Sequence, residues 1–179
     1  MTGSERREQI RSKLSQTQVP VSATTLAKQF NVSRQTIVGD ISLLRAHGTA
    51  IVATLQGYEL EKADQPTAVL VCRHFPNEAM QEMALIIHAG GIIKDVEVEH
   101  PLYGRLRGEL EIRSVGDVNL FMGRLKKLQG HLLSELTDGV HSHTVAYQTP
   151  EQLTAIKAAL RDAGYLYEKD RKSTRLNSS

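Results

Sequence analysis

Apolar residues recur at helical spacing in three short segments at the start of the chain. Ile10 and Leu14 predict a first amphipathic helix, and the segment ATTLAKQF, with Ser22 as its N-cap, predicts a second. Asn31 suits the left-handed turn that ends the second helix. Ser33 is a good N-cap for a third helix two residues later. Three short helices with a tight turn before the last one predict a helix-turn-helix.

The start of the third helix carries polar side chains that are suited to reading DNA. Its first turn is formed by Ser33, Arg34, Gln35 and Thr36. The second helix of a helix-turn-helix places its first side chains against base edges in the major groove, where Arg and Gln pair well with purines. We therefore expect these four residues to contact a double-stranded DNA operator. The pattern leaves open a small helical bundle that is used for protein contacts.

A two-stranded hairpin follows the three helices. The segment AIVATLQGYELE alternates apolar and polar residues around Gln56 and Gly57, which is typical of a hairpin and predicts the wing of a winged helix-turn-helix. Its last residues are acidic, so we expect the wing to contribute less to DNA binding than the third helix. The polar segment 61–66 ends in proline and predicts a linker.

Segments with strand and helix periodicity alternate after the linker. Their order is β-α-β-β-α-β-α, which is the split βαβ or ferredoxin-like order and predicts a four-stranded antiparallel sheet with helices on one face. The predicted fold class is α+β, with a winged helix-turn-helix over residues 1–62 and a ferredoxin-like domain over 66–170. Residues 171–179, RKSTRLNSS, show no apolar period and are interpreted as a tail outside the fold.

The charge is divided unevenly along the 179 residues. Residues 1–62 hold eight basic and five acidic side chains, whereas the whole chain has a net charge of only +2. A basic small domain beside a neutral or acidic larger one is typical of a protein that joins a DNA-binding domain to a sensor domain. The first residues lack the apolar core of a secretory signal and no run is long enough to span a membrane, so we expect a cytoplasmic protein without a membrane partner. The single cysteine, Cys72, is interpreted as a small buried apolar residue without a role.

Three of the histidines lie at positions from which their side chains can reach one common site. His141 and His143 lie two residues apart in a predicted strand, so their side chains point to one face, about 6–7 Å apart along the chain. This spacing fits a pair of metal ligands and fits solvated strand histidines equally well. His74 ends the first strand of the domain, and Glu82 lies inside the next helix, which can fold back on the same point. Three imidazoles and a carboxylate suit a divalent first-row ion.

These motifs resemble those of a known family. The stretch VSATTLAKQFNVSRQTIVGDISLLRAHG resembles the winged helix-turn-helix of biotin-repressor-like and niacin-responsive bacterial regulators. The stretches VEHPLYG and LTDGVHSHTV, with the upstream His74, resemble the three-histidine domain of niacin-responsive repressors over residues 68–167. One departure is Gly39, which lies in the third helix where such families commonly carry a larger, often basic residue.

The resemblance implies a function and a set of site residues. It implies a dimeric transcriptional repressor of NAD-precursor salvage or niacin uptake, with nicotinic acid or a related pyridine carboxylate as co-repressor and a transition metal such as nickel, zinc or iron. The implied metal ligands are His74, Glu82, His141 and His143. The resemblance also implies that His100 and Tyr103, in the HPLYG turn, line the effector pocket. A carboxylate seeks an Arg or His donor, which adds Arg105 to this set.

Two other functions compete with this interpretation. A metal-only regulator would respond to the ion itself, and a metal-dependent enzyme would use an open position on the ion to activate water. We expect no enzymatic activity, because the sequence contains no nucleophile motif, phosphate loop or cofactor fingerprint.

Overall fold

The computed structural model describes residues 1–62 and 65–168, and the predicted tail at 171–179 lies outside these ranges. The chain divides into two compact units between residues 64 and 65. The first unit consists of three helices and a hairpin, and the second of helices packed on an antiparallel sheet. The predicted α+β class is therefore confirmed.

The first unit has the helices and the hairpin that its sequence predicts. They are α1 (Gly3–Gln16), α2 (Ala23–Phe30), α3 (Arg34–Ala46), β1 (Ile51–Thr54) and β2 (Gly57–Leu60). Ser22 and Ser33 cap α2 and α3, each accepting a backbone hydrogen bond of 3.0 Å three residues on. Asn31 ends α2 with a φ of 53°. These caps separate α2 from α3 by one tight turn, which sets the two helices as a helix-turn-helix.

The wing is tied to the start of α2. Val21 and Tyr58 exchange backbone hydrogen bonds of 2.8 and 2.9 Å, and Gly57 packs directly on the backbone of Val21. Thr54 and Gly57 form the closing pair of the hairpin, so the turn is at residues 55 and 56, one residue earlier than the sequence predicts. A side chain at position 57 would overlap with Val21, which explains the glycine.

The second unit follows the predicted order of elements. They are β3 (Thr67–Arg73), α4 (Ala79–His88), β4 (Ile92–His100), β5 (Gly104–Ile112), α5 (Val115–Lys127), β6 (Val140–Ala146) and α6 (Pro150–Asp162). Two short 3-10 turns, Pro76–Glu78 and Leu133–Thr137, precede α4 and β6. The second turn is not anticipated by the sequence pattern.

The sheet is antiparallel throughout, with the strand order β3-β6-β4-β5. The strands β3 and β4, which α4 connects, are separated by β6, so the βαβ unit is split as expected. The inserted strand, β6, is the fourth strand of the domain. In a ferredoxin-like sheet the third strand of the domain takes this place. This order puts the histidines of β6 beside the end of β3 and near α4.

Burial alternates along the two strands that carry the site. Leu70 and Cys72 of β3 are buried, as are His141 and His143 of β6. On the opposite face Val69 remains 65% exposed. One face of the sheet is therefore covered, and the other is open. None of the described helices is both long and apolar enough to span a membrane.

Candidate functional site

The four residues predicted to bind a metal meet in one buried cluster. His74, Glu82, His141 and His143 each expose 8% or less of their surface. The rings of His74 and His143 both lie 4.8 Å from the ring of His141. The cluster combines residues from the end of β3, from the first turn of α4 and from β6. The structure thus brings together side chains that are up to 69 positions apart, from 74 to 143, in the sequence.

Pairing of β3 with β6 sets the positions of the histidines. Cys72 lies opposite His141 in this pairing, and Leu70 lies opposite His143. Gly139, at the entry to β6, packs on the backbone of His74, where an added Cβ would stand 2.5 Å from its carbonyl oxygen. The φ of Gly139 is 89°, a left-handed conformation that favours glycine. Close contact at Gly139 therefore sets how near β6 approaches His74.

Backbone carbonyl groups orient all three imidazole rings. The Nδ1 atoms of His74 and His141 each lie 2.8 Å from a carbonyl oxygen, those of Phe75 and Gly139. His143 Nδ1 lies 2.7 Å from the carbonyl oxygen of Asp95. Because a carbonyl oxygen only accepts, each Nδ1 must donate its hydrogen, which leaves Nε2 as the lone-pair nitrogen of the neutral ring. This is the arrangement that orients histidines as metal ligands.

The three Nε2 atoms converge on the carboxylate of Glu82. His141 Nε2 lies 2.8 Å from Oε2 and His143 Nε2 lies 2.6 Å from Oε1. His74 Nε2 also contacts Oε2, but it is buried without a hydrogen bond among the described residues. Lone pairs that face a carboxylate need protons or a cation between them. Donor types, burial and the unpartnered nitrogen all fit a divalent transition metal.

The buried charges shift the acid-base behaviour of the cluster. Burial alone would raise the pKa of the Glu82 carboxyl, but the charge of His143 and the contacts of the carboxylate with the three imidazoles hold that pKa well below its usual range. Burial acts to lower the pKa of His74 and of His143, and their contacts with Glu82 outweigh it, so both pKa values are raised. The cluster therefore stabilises positive charge next to Glu82, whether on protons or on a metal ion.

Cys72 is a neighbour of this cluster that the sequence interpretation did not include. Its thiol, the Glu82 carboxylate and His141 have ligand atoms within 4.8 Å of one another, and all three side chains are buried. Burial raises the pKa of the thiol, and the charge of Glu82 and a hydrogen bond to it raise it further. Cys72 is therefore a protonated thiol beside the site, and a metal ion could displace its proton. The sequence did offer one signal for it, because Cys72 lies two residues before His74 and residues at this spacing in a strand point to the same face.

Asp95 is a second residue that sequence reasoning missed. Besides its carbonyl contact with His143, its carboxylate accepts a hydrogen bond of 2.8 Å from the backbone of Thr144 and one of 3.0 Å from Arg107. Asp95 lies at an irregularity in the pairing of β4 with its neighbours. It thereby holds β4 against the histidine strand. Nothing in the sequence marks it except its position among apolar residues.

A cavity of about 210 Å³ adjoins the cluster. His74, Glu82, His141 and His143 form one side of it. Its other walls are mainly apolar, and they are formed by Ala79, Met83, Val96, Gly108, Leu110, Phe121, Leu132 and Leu133. His131 and Ser134 add polar groups. A cavity of about 150 Å³ holds benzene, so this one has room for a small aromatic ligand.

The three residues predicted to bind the effector lie elsewhere. His100 is the last residue of β4, Tyr103 lies in the turn that follows it, and Arg105 is the second residue of β5; none of them lines the cavity beside the histidines. His100 Nδ1 accepts backbone hydrogen bonds from residues 102 and 103, so it stabilises the turn. Tyr103 is 70% exposed, and Arg105 lies within 4 Å of Glu97 and Glu99.

The residues predicted to contact DNA lie at the start of α3. Arg34 and Gln35 are exposed. The Ser33 hydroxyl accepts a hydrogen bond from the backbone of Thr36 and lies 2.9 Å from its hydroxyl, so these two side chains cap the helix. Ser33 and Thr36 thus hold the helix end, and the contact of all four residues with DNA remains a prediction.

Comparison with known proteins gives two domain matches and two close relatives. Residues 6–59 match a helix-turn-helix domain family, and residues 67–169 match the 3H domain family. The chain is 36% identical to the transcription repressor NadR of Bacillus subtilis over 93% of this chain and 95% of that protein. It is 38% identical to the probable transcription repressor NiaR of Thermotoga maritima over 87% of this chain and 89% of that protein.

Proposed function

The chain belongs to the niacin-responsive repressor family, which pairs a helix-turn-helix with a 3H domain, and from this we propose a specific role for it. It is a DNA-binding transcriptional repressor of genes for NAD-precursor salvage or transport. Nicotinic acid is its co-repressor, and the 3H domain holds a divalent transition metal.

One observation carries the metal proposal. Three imidazoles, each with its Nδ1 hydrogen on a backbone carbonyl, direct their Nε2 atoms at one buried carboxylate. A buried cluster of this kind is costly unless a cation neutralises it. His74, Glu82, His141 and His143 would hold the ion, which would supply a Lewis-acidic position facing the cavity.

Metal content and ligand identity are tested with Co²⁺, Ni²⁺ and Zn²⁺ added to the purified full chain. Visible d–d bands report Co²⁺ binding, and a near-ultraviolet charge-transfer band reports a thiolate ligand. We expect d–d bands in the wild type, their loss in His143→Ala, and no charge-transfer band, because the four ligands do not include Cys72. A charge-transfer band that disappears in Cys72→Ser would add the thiol to the ligand set.

We propose the cavity beside the metal ligands as the effector site. A pyridine ring would pack on its apolar wall, and its carboxylate would find His131 and Ser134 among the described lining residues. The alternative site is the hairpin turn with His100, Tyr103 and Arg105. Arg105 offers a guanidinium there, but its neighbours Glu97 and Glu99 compete for it.

Calorimetric titration with nicotinic acid separates these two sites. Phe121→Ala removes an aromatic wall of the cavity, and Tyr103→Ala removes an aromatic ring from the turn. We expect Phe121→Ala to weaken nicotinic acid binding by about 10-fold, from a loss of about 1.5 kcal/mol of apolar burial, and Tyr103→Ala to leave it unchanged. The opposite result would move the effector to the hairpin.

The regulatory proposal is tested by measuring operator affinity during a nicotinic acid titration at fixed metal concentration. A hundredfold tightening corresponds to about 2.7 kcal/mol of coupling, which is within the usual range for allostery. A metal-only regulator would show no response to nicotinic acid. A metal-dependent enzyme would consume it, which chromatography of the ligand after incubation detects.

We further propose that the repressor acts as a homodimer. Helix-turn-helix proteins commonly read two half-sites about one helical turn apart, which requires two copies. The open sheet face supports this proposal, because Val69 and Val71 are exposed there. Effector binding would then favour one placement of the two winged domains. Sedimentation of the full chain with and without effector measures the state of association.

A further inference from the structure

Gly39 lies in the middle of α3, yet it has no structural reason to be glycine. A Cβ built on it meets no atom within 4 Å, and its φ is not in the left-handed region. A glycine in a helix interior costs stability relative to alanine. The described part of the chain therefore offers neither a packing contact nor a backbone conformation that explains this residue.

Gly39 lies on the exposed face of α3, opposite the face that packs on the core. Gln35, Val38, Gly39 and Ser42 are spaced so that they share one side of α3, and all four are exposed. This side is opposite the buried Ile37, Ile41 and Leu44, which fasten the helix to the core. It is the side that a helix-turn-helix turns toward the major groove.

The side chains around Gly39 are short. Ser42 donates its hydroxyl to the carbonyl oxygen of Val38 at 3.0 Å, so it lies against the helix. Val38 exposes 39% of its surface, although it is apolar. Gln35 is the one long polar side chain among these four. The surface around Gly39 is thus low and partly apolar, which suits close contact with base edges.

We propose that Gly39 lets α3 approach the floor of the major groove and that Val38 beside it contacts a thymine methyl group. The C5-methyl of thymine is the apolar group that the major groove presents, and small apolar side chains recognise it. This inference rests on the proposed repressor function and assigns sequence preference to a pair of residues within it.

The test for Gly39 uses a duplex that the full chain enriches from a random-sequence library, with and without nicotinic acid and Zn²⁺. In Gly39→Ala we expect the midpoint of unfolding of the winged domain to rise by about 4–8 °C. We expect affinity for the duplex to fall by about tenfold, the equivalent of one lost base contact. Stability and binding would then change in opposite directions, which a misfolded variant cannot produce.

Gly123 provides a matched control. It is also an exposed glycine inside a helix, α5, with no atom within 4 Å of an added Cβ. Gly123→Ala should stabilise the second domain and leave DNA affinity unchanged. If Gly39→Ala binds the duplex as tightly as the wild type, or if it is less stable than the wild type, the assignment of Gly39 is wrong.

The test for Val38 removes single methyl groups from the DNA by replacing each thymine of the duplex with uracil. We expect one replacement to weaken wild-type binding by about fourfold, the value of one buried methyl group, and to have a smaller effect on Val38→Ala, whose shorter side chain keeps only part of the apolar contact. If every replacement affects both proteins equally, Val38 reads no thymine. If the wild type enriches no duplex under any condition, the proposed repressor function fails and this inference fails with it.

Discussion

The two domains differ in how they present their chemistry. In the winged domain, Arg34 and Gln35 are exposed, and their neighbours Ser33 and Thr36 cap the helix. In the 3H domain, the chemically important groups are buried, and each contacts groups from another element. The proposed DNA contacts of the winged domain thus lie on an exposed surface that the fold does not need for its own stability. In the 3H domain the residues of the candidate site are also part of the buried core.

This difference predicts different responses to mutation. An exposed side chain that contacts DNA can be replaced at little cost to the stability of the domain, because water takes over its contacts in the free protein. A buried carboxylate that faces three imidazoles cannot, because removing one charged partner leaves the others without compensation. Function and stability should therefore separate in the winged domain and change together in the 3H domain.

The largest effect is expected for Glu82→Gln. The variant keeps the shape of the side chain but loses the negative charge, so we expect divalent ion affinity to fall by at least about 100-fold. Without metal, unfolding free energy should fall by about 3 kcal/mol, because the imidazoles lose their counter-charge. Calorimetry with Zn²⁺ and urea unfolding measure the two effects. Glu99→Gln, at a carboxylate that is 78% exposed, is the control and should change neither.

Gly139→Ala should have the next largest effect. The new Cβ would stand 2.5 Å from the His74 carbonyl oxygen at a φ of 89°, so we expect a loss of about 3 kcal/mol in unfolding free energy. Urea denaturation of the full chain measures it. Gly164→Ala has a φ of 80° and no described atom within 4 Å of the Cβ. It should cost only about 1 kcal/mol, and equal costs at the two positions would contradict the close contact.

The smallest effects are expected at the start of α3, where two neighbours should respond in opposite ways. Gln35→Ala should weaken operator binding by about 10-fold and leave stability unchanged. Ser33→Ala removes the N-cap and should cost about 1 kcal/mol of stability with little loss of DNA affinity at low temperature. Fluorescence anisotropy and urea unfolding measure both variants. A loss of stability in Gln35→Ala would contradict the expectation that function and stability depend on different residues in the winged domain.

The sequence predicts the elements well because their signals are local. Ser22 and Ser33 reveal helix starts, Asn31 reveals a helix end, and the His-x-His spacing of β6 places two imidazoles on one face. Each of these signals depends on residues fewer than five positions apart. They require no knowledge of which strand lies next to which.

The remaining features depend on contacts that are distant in sequence. Asp95 orients His143 through its backbone carbonyl, a group that every residue has, so its residue type carries no signal. Cys72 is a neighbour of the ligands only because β3 pairs with β6 in one register. The placement of the effector at His100 and Tyr103 followed from the resemblance of a motif, and Arg105 was added as a donor for a carboxylate. It remains a prediction, whereas the cavity that we propose instead became visible only in three dimensions.

The strand order has a consequence for how the 3H domain is made. Residues 140–146 are synthesised after β3, β4 and β5, yet they occupy the position between β3 and β4. During translation the first strands therefore have unpaired inner edges, which are prone to wrong pairing or aggregation. Chains that stop before residue 140 should keep only the pairing of β4 with β5 and lack the proposed metal site, and released chains that include residues 140–146 should gain the paired β3 and the site together.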